Sequence, residues 1–184
     1  MVIRDLDGAR RAEHSGVPMK FVFFWGAESH GGVGAECLSQ WYPSPFDVEG
    51  TTYATAEHFM MAGKARLFGD EKAAERVLAA RTPAEAKNLG RQVRGFDSAV
   101  WDSHRVAIVV AGNVAKFDAD PALRDYLLGT GERVLVEASP LDRIWGIGLR
   151  SDDERAQTPS TWRGLNLLGF ALMTARDELG AAQR

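Results

Sequence analysis

Thr51–Phe68 reads TTYATAEHFMMAGKARLF, a short β-type run that passes directly into a helical one. Thr55 is a good N-cap, because its hydroxyl can accept a hydrogen bond from an N–H that the first helical turn leaves unpaired. Glu57 and His58 fall in that first turn and are followed at once by Phe59, Met60, Met61 and Ala62. The pattern predicts a carboxylate on a helix that is apolar on most sides. Lys64 lies about two turns beyond Glu57 on nearly the same face. An acid and a base aligned along an apolar helix suggest the wall of a polar pocket. Each residue also has a plainer explanation. A glutamate in the first turn gains about 0.3–1 kcal/mol from the helix dipole alone. His58 has no second histidine one turn on, so it reads as a hydrogen-bonded core or interface side chain before a metal ligand. Met60 and Met61 suit core filling, and Lys64 can simply extend a solvated face with Arg66.

Working outward, 184 residues with 45% hydrophobic and 26% charged side chains fit one soluble globular domain. Twenty-two basic and twenty-five acidic residues give a net charge of -3, so no electrostatic footprint marks a general nucleic-acid or membrane binder. The single cysteine, Cys37, excludes an internal disulfide. With no apolar run near about eighteen residues, neither a membrane span nor a secretory core is expected, and a cytoplasmic location follows. Residues 1–18 are charged and lack apolar periodicity, which predicts a flexible lead-in; residues 181–184 are expected to be a tail.

Before the central stretch, KFVFFW (Lys20–Trp25) is a strand by its density of aromatic and β-branched residues. Gly26–Gly34, GAESHGGVG, lacks both the Lys-Ser/Thr of a P-loop and the dinucleotide glycine spacing, so it reads as an ordinary loop. Glu49-Gly50 is a turn signal between two short alternating runs, which predicts a hairpin ending at Tyr53. After the central helix the chain stays helical. Asp70 caps 71–80; Thr82, with Pro83 and Glu85 behind it, caps a short helix closed by Gly90. Asp97 or Ser98 starts the longest helix, 99–117, with Val100, Trp101, Val106, Ile108, Val109 and Val114 as its apolar face. Asp120-Pro121 opens another helix, ended by Gly129–Gly131, and RVLVE (Arg133–Glu137) is a strand.

SPLDRIWGIG (Ser139–Gly148) places Asp142 and Trp145 between glycines after a strand, the composition of a ligand loop, although Asp and Gly also make plain turns. Ser151–Thr161 is a loop or lid. Trp162–Arg176 is a final amphipathic helix with Asn166 at its start and Gly169 allowing close packing, and a polar tail follows from Glu178.

The order FFWG, LSQWYP, YATAEHFMMAGKA, helical Trp101, LVE, DRIWGIG and GLNLLGFALM resembles the NADAR (YbiA-like) family over nearly the whole of 20–179. Several spaced motifs in the right order are far more specific than any one of them. The resemblance implies an α+β fold, a single mostly helical domain with a small β-sheet spanning 19–180, and N-glycosidase activity. It implies Glu57 and Asp142 as catalytic acid/base residues, with His58, Lys64, Trp101, Trp145, Gly146 and Asn166 around the substrate. Gly63 departs from relatives that carry Glu or Gln there, which bears on substrate choice more than on reaction type.

The resemblance implies either hydrolysis of early riboflavin-pathway ribosylamino-pyrimidine phosphates or removal of ADP-ribose from guanine in nucleic acid; a third reading, from another class, is non-catalytic sensing of ADP-ribose or NAD. The first two need a carboxylate near the sugar, an activated water and protonation of the leaving base. Retention of Glu57, Asp142 and both tryptophans argues against the third. No cofactor, no metal and no membrane partner are expected; the partner is a small ribosylamine phosphate or ADP-ribosyl substrate.

Overall fold

In the computed structural model, which describes residues 3–28 and 31–182, the helices are α1 (Leu6–His14), α2 (Ala56–Leu67), α3 (Glu71–Leu78), α4 (Pro83–Gly90), α5 (Ser98–Ala119), α6 (Pro121–Gly129) and α7 (Leu167–Ala181). The strands are β1 (Phe21–Phe24), β2 (Phe46–Val48), β3 (Thr51–Tyr53) and β4 (Val134–Glu137). They form two separate pairs, β1–β4 parallel and β2–β3 antiparallel, within the α+β, mostly helical fold expected. The chain divides into two compact units, Gln40–Arg124 and Met1–Ser39 with Asp125–Arg184.

In the unit Gln40–Arg124, the hairpin closes because Glu49 and Gly50 both adopt positive φ, 50° and 78°, the backbone of a two-residue turn that matches strand twist. Phe46 sits opposite Tyr53, with ring centroids 5.8 Å apart, and Phe59 of α2 meets the Tyr53 ring edge-on at 4.9 Å. Those three rings fix where α2 leaves the hairpin. Thr55 caps α2 as predicted, its hydroxyl accepting from the His58 N–H. Asp70, Thr82 and Asp97 cap α3, α4 and α5 in the same way. Met60, Met61, Ala62 and Ala65 are buried. A Cβ on Gly112 would come within 2.5 Å of the Phe59 ring, so that glycine lets α5 pass α2 closely.

The buried face of α5 differs from the apolar stripe expected. Trp101, Val109, Gly112, Asn113, Lys116 and Phe117 are buried, whereas Val100 and Val106 are exposed. The true face carries two polar side chains, so counting only apolar residues rotates the helix toward the wrong side.

In the other unit, the expected lead-in contains a helix. α1 is capped by the Asp5 carboxylate on the Gly8 N–H and buries Ala9 and Ala12, residues too small to register as apolar periodicity. Glu13 accepts from both the N–H and the hydroxyl of Ser160, which ties α1 to the 3-10 turn Pro159–Thr161. The segment 151–161, expected as a loop or lid, holds a second such turn at Glu154–Gln157. Cys37 lies fully buried in a third, Ala35–Leu38. Ser29 and His30 of the preceding loop, and Gln183 and Arg184 of the expected tail, lie outside the described residues.

The last helix starts later and ends later than predicted, at Leu167 and Ala181. Asn166 is left-handed, with φ 54° and ψ 35°, and gives α7 no side-chain cap. The Leu167 and Leu168 N–H groups instead bond the carbonyls of Ile144 and Trp145. The tail read from Glu178 is thus helical as far as Ala181. A Cβ at Gly169 would lie 2.0 Å from the Leu135 carbonyl oxygen, so α7 reaches β4 only because that position has no side chain.

Candidate active site

Four of the expected site residues stand in the unit Gln40–Arg124. Glu57, 2% exposed, occupies the first turn of α2, and its N–H donates to the Gln40 carbonyl at 2.9 Å. Gln40 is itself held from α5: the Asn113 side-chain amide donates to Gln40 Oε1 at 2.9 Å and to the Val109 carbonyl at 2.8 Å. The start of α2 is therefore fixed at the carboxylate by its own cap and by a buried amide pair. Lys116, also on α5 and 1% exposed, has its ammonium 5.6 Å from the Tyr42 ring centroid and 5.0 Å from that of Phe117.

His58, expected against the substrate, is enclosed by the protein. It is 1% exposed, with Nδ1 2.8 Å from the Thr55 hydroxyl and Nε2 3.1 Å from the Ala80 carbonyl. A carbonyl can only accept, so Nε2 carries the proton, and in the neutral ring Nδ1 accepts from Thr55. Burial pushes the imidazole below its ordinary pKa, against smaller opposing effects of the Ala80 carbonyl and of Glu85. His58 is thus a neutral core residue that orients the turn holding Glu57.

Lys64 is half-buried, with its ammonium 4.2 Å from the Phe96 ring centroid and 5.6 Å from that of Trp101. Burial, and secondarily the charge of Arg91, lower its pKa. Trp101 is largely buried on the first turn of α5. Gly63, the departure noted above, faces α5: a Cβ there would stand 2.9 Å from Ile108 Cγ2. A longer residue would push Ile108 aside, which gives the glycine a packing reason.

The other four residues stand in the second unit. Asp142 Oδ1 accepts from the N–H groups of Ile144 and Trp145, both at 2.8 Å, so this carboxylate builds its own loop. Trp145 is half-buried, and its carbonyl serves α7. Gly146 is buried at a close approach, where a Cβ would meet the Glu137 carbonyl oxygen at 2.8 Å. Asn166, fully buried, donates to the Leu135 carbonyl at 2.9 Å and accepts from the Glu137 N–H at 3.0 Å. Its amide thereby completes the edge of β4 that faces away from β1. Gly146 and Asn166, expected against the substrate, are thus accounted for by packing and by strand-edge bonds.

Reading the sequence missed Gln40, Asn113 and Lys116. The available signal was the spacing of Asn113 and Lys116 with Val109 and Phe117, one buried helical face carrying both polar and apolar members.

With this geometry in place, the comparison with known proteins is decisive: the NADAR domain model matches residues 23–180. The chain belongs to the NADAR domain family. The match runs through both units and bears out the resemblance read from the spaced motifs. This NADAR chain is 42% identical over 164 residues to an "N-glycosidase" of Acanthamoeba polyphaga mimivirus, covering 86% of this chain and 96% of the relative. It is 32% identical over 157 residues to a "Riboflavin biosynthesis protein" of Vibrio vulnificus (strain YJ016), covering 85% of this chain and 38% of that longer one. The NMR structure of the E. coli protein YbiA matches the fold with a TM-score of 0.70 at 27% identity, over 95% of this chain and 93% of that one.

Proposed function

We propose that this N-glycosyl hydrolase cleaves the C1–N bond of a ribosylamino-pyrimidine phosphate, with Glu57 as the carboxylate at the sugar. The observation that carries this reading is the placement of Glu57: an acid 2% exposed, on the first turn of a helix that also buries Ala56, His58, Met60, Met61, Ala62 and Ala65, with its backbone bonded to Gln40. Burial of a carboxylate is costly and clusters at sites of function, and the cap of this helix is supplied by Thr55, which leaves the Glu57 side chain without that role. Similarity to relatives named for N-glycosidase activity and for riboflavin biosynthesis supports the reaction and the substrate class.

In the reaction, water oxygen bonds to C1 as the C1–N bond breaks, and the nitrogen leaves with a proton. The sugar passes through an oxocarbenium-like state, whose positive charge a nearby buried carboxylate stabilises. Glu57 takes the proton of the attacking water in this reading. Asp142 is the second acid/base candidate, although one of its oxygens already serves two loop N–H groups. Lys64 meets the phosphate, and Trp101 supplies a ring surface that excludes water.

The test is to offer the purified protein a ribosylamino-pyrimidine phosphate and, separately, guanine-linked ADP-ribose, and to follow released base by mass spectrometry. Release from the first is expected, and Glu57→Gln should lower its rate by about 10²–10⁴ without changing the melting temperature. Release from the second alone would move the substrate to ADP-ribosylated nucleic acid. Binding of ADP-ribose without release from either would make the protein a sensor.

A further inference from the structure

Lys64, in the last turn of α2, and Arg91, the C-cap of α4, are cations that act on each other electrostatically, and neither has an acid of its own among the described residues. Gly90, the last residue of α4, packs on α2 so closely that a Cβ there would stand 2.9 Å from Met61 Cγ. Met61 lies one turn before Lys64, so Arg91, which follows Gly90, arrives at the Lys64 end of α2. The Lys64 ammonium rests over the Phe96 ring, itself 47% exposed, and beside Trp101. Among the described residues neither cation has a carboxylate at ion-pair distance, and the printed contact of the Arg91 guanidinium is with Asn88 Oδ1 at 3.4 Å. Arg94, three residues on, behaves differently. Its guanidinium grips Asp70 at 2.7 and 3.1 Å and holds that carboxyl far below the usual range.

Like charges that act on each other, one of them half-buried against rings, repel and lose solvation, a cost that an arriving anion removes. The burial and the Arg91 charge that depress the Lys64 pKa express the same strain. We infer that Lys64 and Arg91 together form a subsite for the phosphate monoester of a pentose. The inference rests on the reading of Glu57 as the residue at C1. Lys64 lies seven positions after Glu57, a rise of about 10.5 Å along one helix face, which two long side chains can close around a sugar phosphorylated on its far carbon. A monoester carries about −1.5 to −2 charges at neutral pH, matching two cations, and the planar fork of Arg91 suits paired phosphate oxygens.

Calorimetric titration with ribose 5-phosphate, ribose and inorganic phosphate tests this on the intact chain. The wild type should bind ribose 5-phosphate more tightly than either of the others. Arg91→Gln and Lys64→Met should each weaken ribose 5-phosphate by about tenfold or more while leaving ribose unchanged. Lys72→Gln, which removes an exposed charge elsewhere on the same unit, should bind as the wild type does. The inference is overturned if Arg91→Gln keeps wild-type affinity, if ribose and ribose 5-phosphate weaken equally, or if the wild type shows no preference for the phosphorylated sugar. Glu57→Gln separates the two readings. If it turns substrate over normally while Arg91→Gln still loses phosphate affinity, the subsite stands and the catalytic assignment falls; the reverse pattern removes the subsite alone.

Discussion

At the scale of single residues, His58 shows how a side chain beside a catalytic candidate can be engaged at both ring nitrogens by the protein itself. Its neutral ring is held by Thr55 and Ala80, and burial lowers its pKa beneath the ordinary 6.5. Because the folded ring binds protons less readily than the unfolded one, its contribution is complete above pH 6.5 and is lost as pH falls toward the lower folded value. Chemical denaturation across that range should show stability declining with acid. His58→Asn should flatten that part of the profile while costing about 1–3 kcal/mol overall. A mutant with an unchanged slope would place the titration elsewhere. Asp142 poses the opposite problem, since its carboxylate both builds a loop and stands as an acid/base candidate. Asp142→Asn keeps an oxygen for the Ile144 and Trp145 N–H groups but removes the charge. We expect the variant to melt like the wild type and to lose about 10²-fold or more in turnover; retained turnover would leave Asp142 with the loop alone.

At the scale of elements, legibility followed the range of the interactions. The starts of α2, α3, α4 and α5 could be read because Thr55, Asp70, Thr82 and Asp97 each accept from an N–H three residues on. The start of α7 could not be read in this way. Its first N–H groups bond to loop carbonyls about twenty residues upstream, and Asn166 turns its amide to β4 instead of capping. Glu57, Lys64 and Trp101 were named from the family pattern, and that pattern does not distinguish a residue that meets substrate from one whose side chain the fold itself engages, as it engages His58 and Asn166. Close backbone approaches are just as hidden. Gly169 read as a packing residue, yet its severity shows only in the 2.0 Å that would separate a Cβ from the Leu135 carbonyl oxygen. Backbone cannot swing aside as a side-chain tip can. Gly169→Ala should therefore cost at least about 1–3 kcal/mol, read as a lower denaturant midpoint. An alanine variant with wild-type stability would mean that α7 rides over β4 more loosely than this contact implies.

For the whole molecule, composition fixed the class of chain, and the order of spaced motifs carried the family. Neither revealed that Met1–Ser39 folds with Asp125–Arg184 while Gln40–Arg124 folds on itself. The parallel partners β1 and β4 are separated by residues 25–133, and no local pattern announces so distant a pairing. α1 was lost for a related reason: its value lies in Ala9, Ala12 and the Glu13 bonds to Ser160, all set by the far end of the chain. Cys37, the single cysteine, sits fully buried in the unit built from both ends. A disulfide dye reacts with thiolate that solvent can reach, so labelling of the native protein must wait for that unit to open. The rate of colour release, followed at rising dye concentration until it levels off, then becomes a clock for the opening itself, with no probe engineered into the chain.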